Sequence, residues 1–342
     1  MKARELGIKV GRLPVGVKNC ITDVRGVMVG HVTLDFSIGE TGEDYACTGV
    51  TAILPHNGNI FKEKVTAASY VINGFGKTTG LVQVNELGVL ESPIMLTNTF
   101  GVPAVTQGTL AYMLDLNPEI GDTTGTINVV VGECNDGHLN SIRLFPVKPE
   151  HAIEAINKAT NGQAEEGAVG AGKGMVCFGY KGGIGSSSRV VEGYTVGCLV
   201  LSNFGKQEEF RAFQYEGEGG LSETSDGSIM IVLATDAPLS DRQLLRVSKR
   251  CGIGLGRTGS HFGHGSGDIV ISFSTAQRIA HFSEEMTETR IQLREDHPLM
   301  NELFAAAAEA AEEAILNSLS QAVTTKGRAG RVVNALDFTK AR

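Results

Sequence analysis

Three short runs of almost unbroken apolar residues, 194–201, 229–234 and 269–273, constrain this chain most. A strand with one wet face alternates apolar with polar side chains, whereas a strand that is apolar at nearly every position has to be covered on both faces. These runs therefore belong in the middle of a layered molecule. Shorter β-like segments at 27–29, 50–54, 95–97 and 127–131 are separated by glycine turns. Helices interrupt them: residues 103–114 and 149–159 each open on a proline, whose missing N–H costs nothing in a first turn. Ser240 is placed to cap a helix reaching about Gly254, and an alanine-rich helix entered through Pro298 is expected over residues 299–322. Strands outnumber helices and no repeat is visible. The expectation is a layered α/β (α+β) arrangement with helices packed on sheets.

Bulk properties exclude several functions. With 342 residues, 42% hydrophobic and 20% charged, the chain can bury a substantial core. Its formal net charge of −8, with no clustering of Lys and Arg among aromatics, excludes nucleic acid as an expected partner. No apolar stretch is long enough for a signal-peptide core or a membrane span, so a cytoplasmic protein without a membrane partner is expected. Cys20, Cys47, Cys134, Cys177, Cys198 and Cys251 stand singly, mostly inside apolar runs, which suits buried reduced thiols.

Residues 206–227, KQEEFRAFQYEGEGGLSETSDG, are polar, acidic and glycine-rich, and read as an exposed linker. They end at Gly227-Ser228, on the threshold of the apolar run 229–234. A hydroxyl can attack the carbonyl that precedes it, turning the amide into an ester that water opens. Glycine on the acyl side suits the strained backbone this requires. The cut would expose an α-amine, which ordinarily titrates at about pH 8, next to the same hydroxyl, so that it could serve as that hydroxyl's base. Alone, the dipeptide is an ordinary turn pair.

Its context adds chemistry. In an extended Gly265-Ser266-Gly267-Asp268-Ile269 segment, Ser266 and Asp268 share a face, because side chains alternate. The carboxylate could then orient Ser266, and Ser266 could hold or relay the Ser228 proton. A serine and aspartate at a strand start also make an ordinary turn. Asn203 ends the run 194–201, where a side-chain amide can donate to a developing oxyanion.

Taken in order, several segments resemble the L-aminopeptidase/D-esterase family of self-processing serine aminopeptidases, which includes the β-peptidyl aminopeptidases. They are Asn19-Cys20-Ile21-Thr22-Asp23-Val24, Gly30-His31-Val32-Thr33, Gly49-Val50-Thr51-Ala52-Ile53-Leu54-Pro55, Gly132-Glu133-Cys134-Asn135-Asp136-Gly137, Gly182-Gly183-Ile184-Gly185, Ser202-Asn203-Phe204-Gly205, Asp226-Gly227-Ser228 with Ala234-Thr235-Asp236-Ala237-Pro238, and Gly256-Arg257-Thr258-Gly259. The resemblance spans residues 8–320. It implies a four-layered αββα sandwich like that of N-terminal-nucleophile hydrolases, with its own connectivity. It also implies one catalytic domain, 1–342, cut into 1–227 and 228–342, and a homo-oligomer of the cleaved pairs. Residue by residue it makes Ser228 the nucleophile, Ser266 the second catalytic serine, Asn203 the oxyanion donor and Glu133 the receiver of the substrate's free amino group. Asp268 stands where well-known members carry glutamate, and Asn135 where a tyrosine helping to hold the oxyanion is expected. The implied reaction removes the N-terminal residue from small peptides, amides or esters and needs no cofactor.

Rival readings are weaker. His261-x-x-His264, with His56, His138 and Asp136 elsewhere, offers two neighbouring ligands and no zinc motif. Gly76-Lys77-Thr78 lacks the glycine a phosphate loop needs at Val71, and Gly170-x-Gly172-x-Gly174 lacks dinucleotide spacing. A non-catalytic ligand-binding paralogue and an acyltransferase like the ornithine acetyltransferases remain as alternatives. The latter use threonine, against Ser228 here.

Overall fold

The computed structural model describes residues 1–40, 42–211 and 227–338. In chain order these form β1 (Met28–Ile38), β2 (Asp44–Leu54), β3 (Glu63–Gly74), α1 (Leu81–Leu87), β4 (Val89–Leu90), β5 (Ile94–Asn98), α2 (Val102–Leu116), β6 (Val130–Cys134), α3 (Pro149–Asn157), the small pair β7 (Val176–Cys177) and β8 (Tyr180–Lys181), β9 (Gly183–Val191), β10 (Tyr194–Asn203), β11 (Ser228–Thr235), α4 (Asp241–Ser248), α5 (Cys251–Thr258), β12 (Gly267–Ala280) and α6 (Leu299–Ser320). Two sheets carry the fold, one ordered β1-β2-β5-β6 and the other β4-β3-β12-β11-β10-β9.

The unbroken apolar runs have the double coverage their composition demands. In β11, Ile229, Ile231 and Leu233 face the helices, while Met230, Val232 and Ala234 face the other sheet. Between the sheets, Ile53, Leu96 and Val130 meet Leu199, Ile271 and Phe273. Outside, α2 and α3 cover the four-stranded sheet, with Val105, Ala152 and Ala155 against Val50 and Ala52. The helices α4, α5 and α6 cover the six-stranded sheet through Leu244, Leu255, Ala307 and Ile315. The result is an αββα sandwich, in which each fully buried aliphatic side chain is worth about 1.5–3 kcal/mol of transfer free energy. Among the described residues no helix is long and apolar enough to cross a membrane. All six cysteines are buried and free.

Three local expectations need correction. The helix capped by Ser240 does not run through to Gly254: it stops at Ser248, and a second helix, α5, starts at Cys251. The cap itself is a reciprocal box, in which Gln243 N–H donates to Ser240 Oγ at 3.2 Å and Ser240 N–H to Gln243 Oε1 at 3.0 Å. The stretch 206–227 is not an exposed linker from its first residue. Phe210 is buried, with its ring centroid 4.8 Å from that of Phe178, and Arg211 N–H donates to Thr258 O at 2.9 Å. Residues 212–226 of that stretch lie outside the described residues. Finally, β6 lies at 130–134 rather than 127–131, and Glu133 stands within it.

The long helix α6 lies close against β9 and β10, and a buried polar network fixes its position. The Arg189 guanidinium on β9, fully excluded from solvent, donates to Glu309 at 3.0 Å and Glu313 at 2.7 Å on α6. Opposite charges and several hydrogen bonds offset the desolvation such a group suffers. Close approach also requires Gly185, where a β-carbon would fall 1.9 Å from Ala314 O and 2.5 Å from Ser318 N, both helix backbone. Gly185→Ala should force α6 away from the sheet and cost about 1–3 kcal/mol. The expected result is a thermal unfolding midpoint lowered by several degrees, and an unchanged midpoint would show that α6 yields at no cost.

Candidate active site

The central pairing of the six-stranded sheet assembles the site. Ser228 is the first residue of β11, paired with Asn203, the last residue of β10, on one side and with Gly267, the first residue of β12, on the other. The antiparallel β10–β11 ladder and the parallel β11–β12 ladder thus bring three strand ends to one edge of the sheet. All three side chains expected there are nearly buried: Ser228 and Asn203 are 8% exposed and Ser266 4%.

Each is held in a definite orientation. Gly267 N–H donates to Ser228 Oγ at 3.1 Å, leaving the serine proton free to be given up. Ser266 Oγ donates to Asp268 Oδ1 at 2.6 Å, so the two side chains meet on one face of the strand start. Asn73 Nδ2 donates to the carbonyls of Gly263, His264 and Ser266, and Phe75 N–H to Ser266 O, which pins the loop that delivers Ser266. Burial pushes the Asp268 carboxyl up to about 6, although the Ser266 hydroxyl and the Ile229 backbone pull it the other way.

Asn203 is fixed from both ends of its amide. Val176 N–H donates to Oδ1 at 2.9 Å, and Nδ2 donates to Asn135 O at 3.1 Å. Because a backbone N–H needs an acceptor, the amide has only one sense, and one of its two N–H groups is left for another acceptor. Asn135 joins the site through its main chain, since its exposed side chain accepts Gly137 N–H at 2.9 Å in a local turn.

Glu133 comes from the other sheet. It is 3% exposed, on β6, and accepts Lys77 N–H at 3.0 Å through Oε1 and the Thr99 hydroxyl through Oε2. The sheets touch beside it: Met230 packs on Gly132, where a β-carbon would lie 2.5 Å from Met230 Cε. Gly76 sits between Glu133 and the start of β12, its β-carbon position being 3.9 Å from both Glu133 Oε1 and Gly267 Cα. A buried carboxylate with spare lone pairs, close to the Ser228–Gly267 pair, suits an ammonium group.

Gly227 precedes Ser228 in a crowded position. A β-carbon there would meet Phe204 Cα at 2.2 Å and Asn203 O at 2.4 Å, so only glycine lets the acyl side lie flat against the end of β10. A cleft of about 260 Å³ opens alongside, lined by Phe204, Gly227, Ser260, His261 and Ser266 among others.

The histidines do not converge. His56 is buried in the turn after β2, accepting Gly58 N–H and bonded to Glu63 O, while His261 and His264 are exposed. Among the described residues no three His, Cys, Asp or Glu side chains form a metal-holding group. Two other ionisable groups are fully buried behind the site: burial pulls Lys181 down to about 7 and pushes Asp136 up to about 7.

Sequence reasoning missed Lys77, Thr99 and Val176, because two of them act through backbone N–H groups, which residue identity does not advertise. The glycine motifs at 76–78 and 170–174 were the available signal. The first contains Lys77, whose N–H Glu133 accepts, and the second ends two residues before Val176, whose N–H goes to Asn203.

Comparison with known proteins agrees with this geometry. The family described as "Peptidase family S58" matches residues 19–333. The chain is 39% identical to beta-peptidyl aminopeptidase BapA of Sphingosinicella microcystinivorans, a match covering 100% of this chain and 91% of that protein. The PH0078 protein of Pyrococcus horikoshii OT3 superposes with a TM-score of 0.92 at 50% identity, covering 99% of this chain and 97% of its own. The L-aminopeptidase D-Ala-esterase/amidase of Ochrobactrum anthropi, described as a prototype for the serine aminopeptidases and a variant of the Ntn-hydrolase fold, superposes at 0.91 with 34% identity, covering 99% of this chain and 96% of its own. With its buried serine at a strand start, its fixed asparagine amide and its carboxylate from the opposing sheet, the chain belongs to peptidase family S58 and is a serine aminopeptidase of the Ntn-hydrolase type.

Proposed function

We propose that the chain cuts itself between Gly227 and Ser228 and then removes N-terminal residues from small peptides, amides or esters that carry a free amino group. The observation that carries this is the placement of Ser228 as the first residue of a central strand, directly across from Asn203 and beside the Ser266–Asp268 pair. In self-cleavage, Ser228 Oγ attacks the Gly227 carbonyl carbon. The C–O bond forms, the C–N bond breaks, and the hydroxyl proton ends on the departing nitrogen. That step frees the Ser228 α-amine; water then hydrolyses the ester, releasing the Gly227 carboxylate and restoring the Ser228 hydroxyl.

In turnover that amine takes the Oγ proton as Oγ attacks the substrate carbonyl. The free N–H of Asn203 stabilises the oxyanion, a contribution worth about 10²–10³ in kcat for one donor. The proton passes to the leaving amine, and water releases the acyl group from Ser228. Ser266, held by Asp268, relays that one proton between Ser228 Oγ and the amine, giving up its own proton as it takes the other. Glu133 receives the substrate's ammonium group, which sets the reaction at the first residue.

The sheet order explains why a cut chain holds together. In β4-β3-β12-β11-β10-β9, the two strands that follow the cut are inserted between pairs of strands that precede it. The two pieces interlock through ladders on both sides.

Ser228→Ala should remain a single chain without activity on aminoacyl p-nitroanilides. Mass spectrometry showing fragments 1–227 and 228–342 from that variant would place the cut under another residue's control. Glu133→Gln should raise KM for free-amine substrates and narrow the preference over N-acetylated ones. A variant that keeps the full preference would remove Glu133 from substrate recognition.

The uncut chain offers a clean test of Asp268, because it has no Ser228 α-amine to titrate. The carboxylate is the form that accepts the Ser266 proton, and its pKa lies near 6. Self-cleavage should therefore slow as pH falls through about 6, and Asp268→Asn should cut slowly with no such limb. A time course by gel electrophoresis on both sides of pH 6 decides it. Wild type that cuts equally fast on the acid side would exclude Asp268 from the step.

A further inference from the structure

Lys181 is a fully buried lysine with no obvious task. It lies on β8, in register with Val176 on β7. Its ammonium donates to Gly172 O at 2.9 Å, Met175 O at 2.9 Å and Gly182 O at 2.7 Å. An ammonium has three N–H bonds, and all three end on main-chain carbonyls. A charge is costly to bury, and a fold needing only three bonded carbonyls has neutral ways to satisfy them.

The middle contact gives the charge a purpose. Met175 C=O and Val176 N–H belong to one peptide unit. Its oxygen accepts from Lys181, while its N–H donates to Asn203 Oδ1 at 2.9 Å. Three acceptor carbonyls favour the protonated amine against the burial that pulls its pKa down, and a cation on the carbonyl of a peptide polarises that peptide and strengthens the bond its N–H makes. The same cation also fixes the peptide plane, because Gly172 O and Gly182 O anchor it on either side and Gly182 N–H adds a second bond to Met175 O at 3.0 Å. The glycine-rich turn at 170–174, which residue identity alone leaves without a role, is the loop this ammonium gathers. The line of contacts runs from ammonium to peptide to asparagine amide to the N–H left free on Asn203.

We propose that Lys181 is a positioning residue for the oxyanion site, orienting and polarising the Met175–Val176 peptide that holds the Asn203 amide. The inference rests on reading Asn203 as the oxyanion donor. It extends that reading to a group that touches neither substrate nor nucleophile. Since the alignment of Asn203 matters to the oxyanion and not to the ground-state ammonium contact at Glu133, loss of Lys181 should lower kcat and spare KM.

The test is a double-mutant cycle on purified protein with an aminoacyl p-nitroanilide, after mass spectrometry has verified complete cleavage. Lys181→Met and Asn203→Ala are compared singly and together, with unfolding midpoints recorded. Lys181→Gln, which keeps N–H donors in place of the ammonium, replaces the Met variant if that one does not fold. The expected result is a kcat reduced about 10–100-fold by the lysine variant, KM within about twofold, and no further loss when the change is made in the Asn203→Ala background. A lysine variant with wild-type kcat, or a loss that multiplies fully with that of Asn203→Ala, would overturn the proposal. Wild-type kcat in Asn203→Ala alone would instead overturn the reading of Asn203 on which it rests.

Discussion

Everything at the site depends on the hydrogen-bonded ladders that hold β11 on both edges. A strand paired on one side could slide or fray at its first residue. Here Ser228 is paired with Asn203 and with Gly267, and its hydroxyl accepts the Gly267 N–H. The apolar side chains that follow are buried alternately against the helices and against the second sheet, so a slip of one residue would put each of them in the wrong layer. Register and burial together fix the position of the serine.

The second dependence is the meeting of the two sheets. Ser228, Ser266 and Asn203 come from one sheet and Glu133 from the other, joined where Met230 fills the space over Gly132. The separation of Glu133 from Ser228 is thus a property of inter-sheet packing, which side chains at the interface set and which a rigid core maintains. The polar groups are correspondingly well supplied with partners: Glu133 by Lys77 N–H and Thr99, Asn203 by Val176 N–H and the Asn135 carbonyl, Ser266 by Asp268. Each such bond immobilises a side chain that would otherwise sample rotamers.

The legibility of these features in the sequence followed their physical range. The runs 194–201, 229–234 and 269–273 were readable as doubly covered strands, and the Ser240 cap as a helix start, because composition and alternation are local. The strands Glu63–Gly74 and Gly183–Val191 were not readable. The first is partly exposed along its second half, and the second carries the polar run Ser186-Ser187-Ser188-Arg189, which is buried because distant groups meet it: Cys198 O for Ser186, Ala310 O for Ser187, Asp23 for Ser188, and Glu309 and Glu313 for Arg189. The apparent linker was misjudged at its start for the same reason. Phe210 looks solvent-bound among Glu208, Glu209 and Arg211 until Phe178 is found beneath it.

The sequence by itself determined that three strands are covered on both faces, the glycine before Ser228 and the chemical inventory of serines, carboxylates and asparagine, together with the family they resemble. Those are matters of residue type and order. Tertiary structure alone decided that Glu133 comes from the other sheet, that the Asn135 carbonyl meets the Asn203 amide while its side chain closes a turn, and that Lys77 and Val176 act through backbone N–H groups. Backbone donors are common to nearly all residues, and contacts between sheets join positions far apart in the chain. Neither leaves a mark that residue identity can carry, so both came into view only when the strands were set side by side.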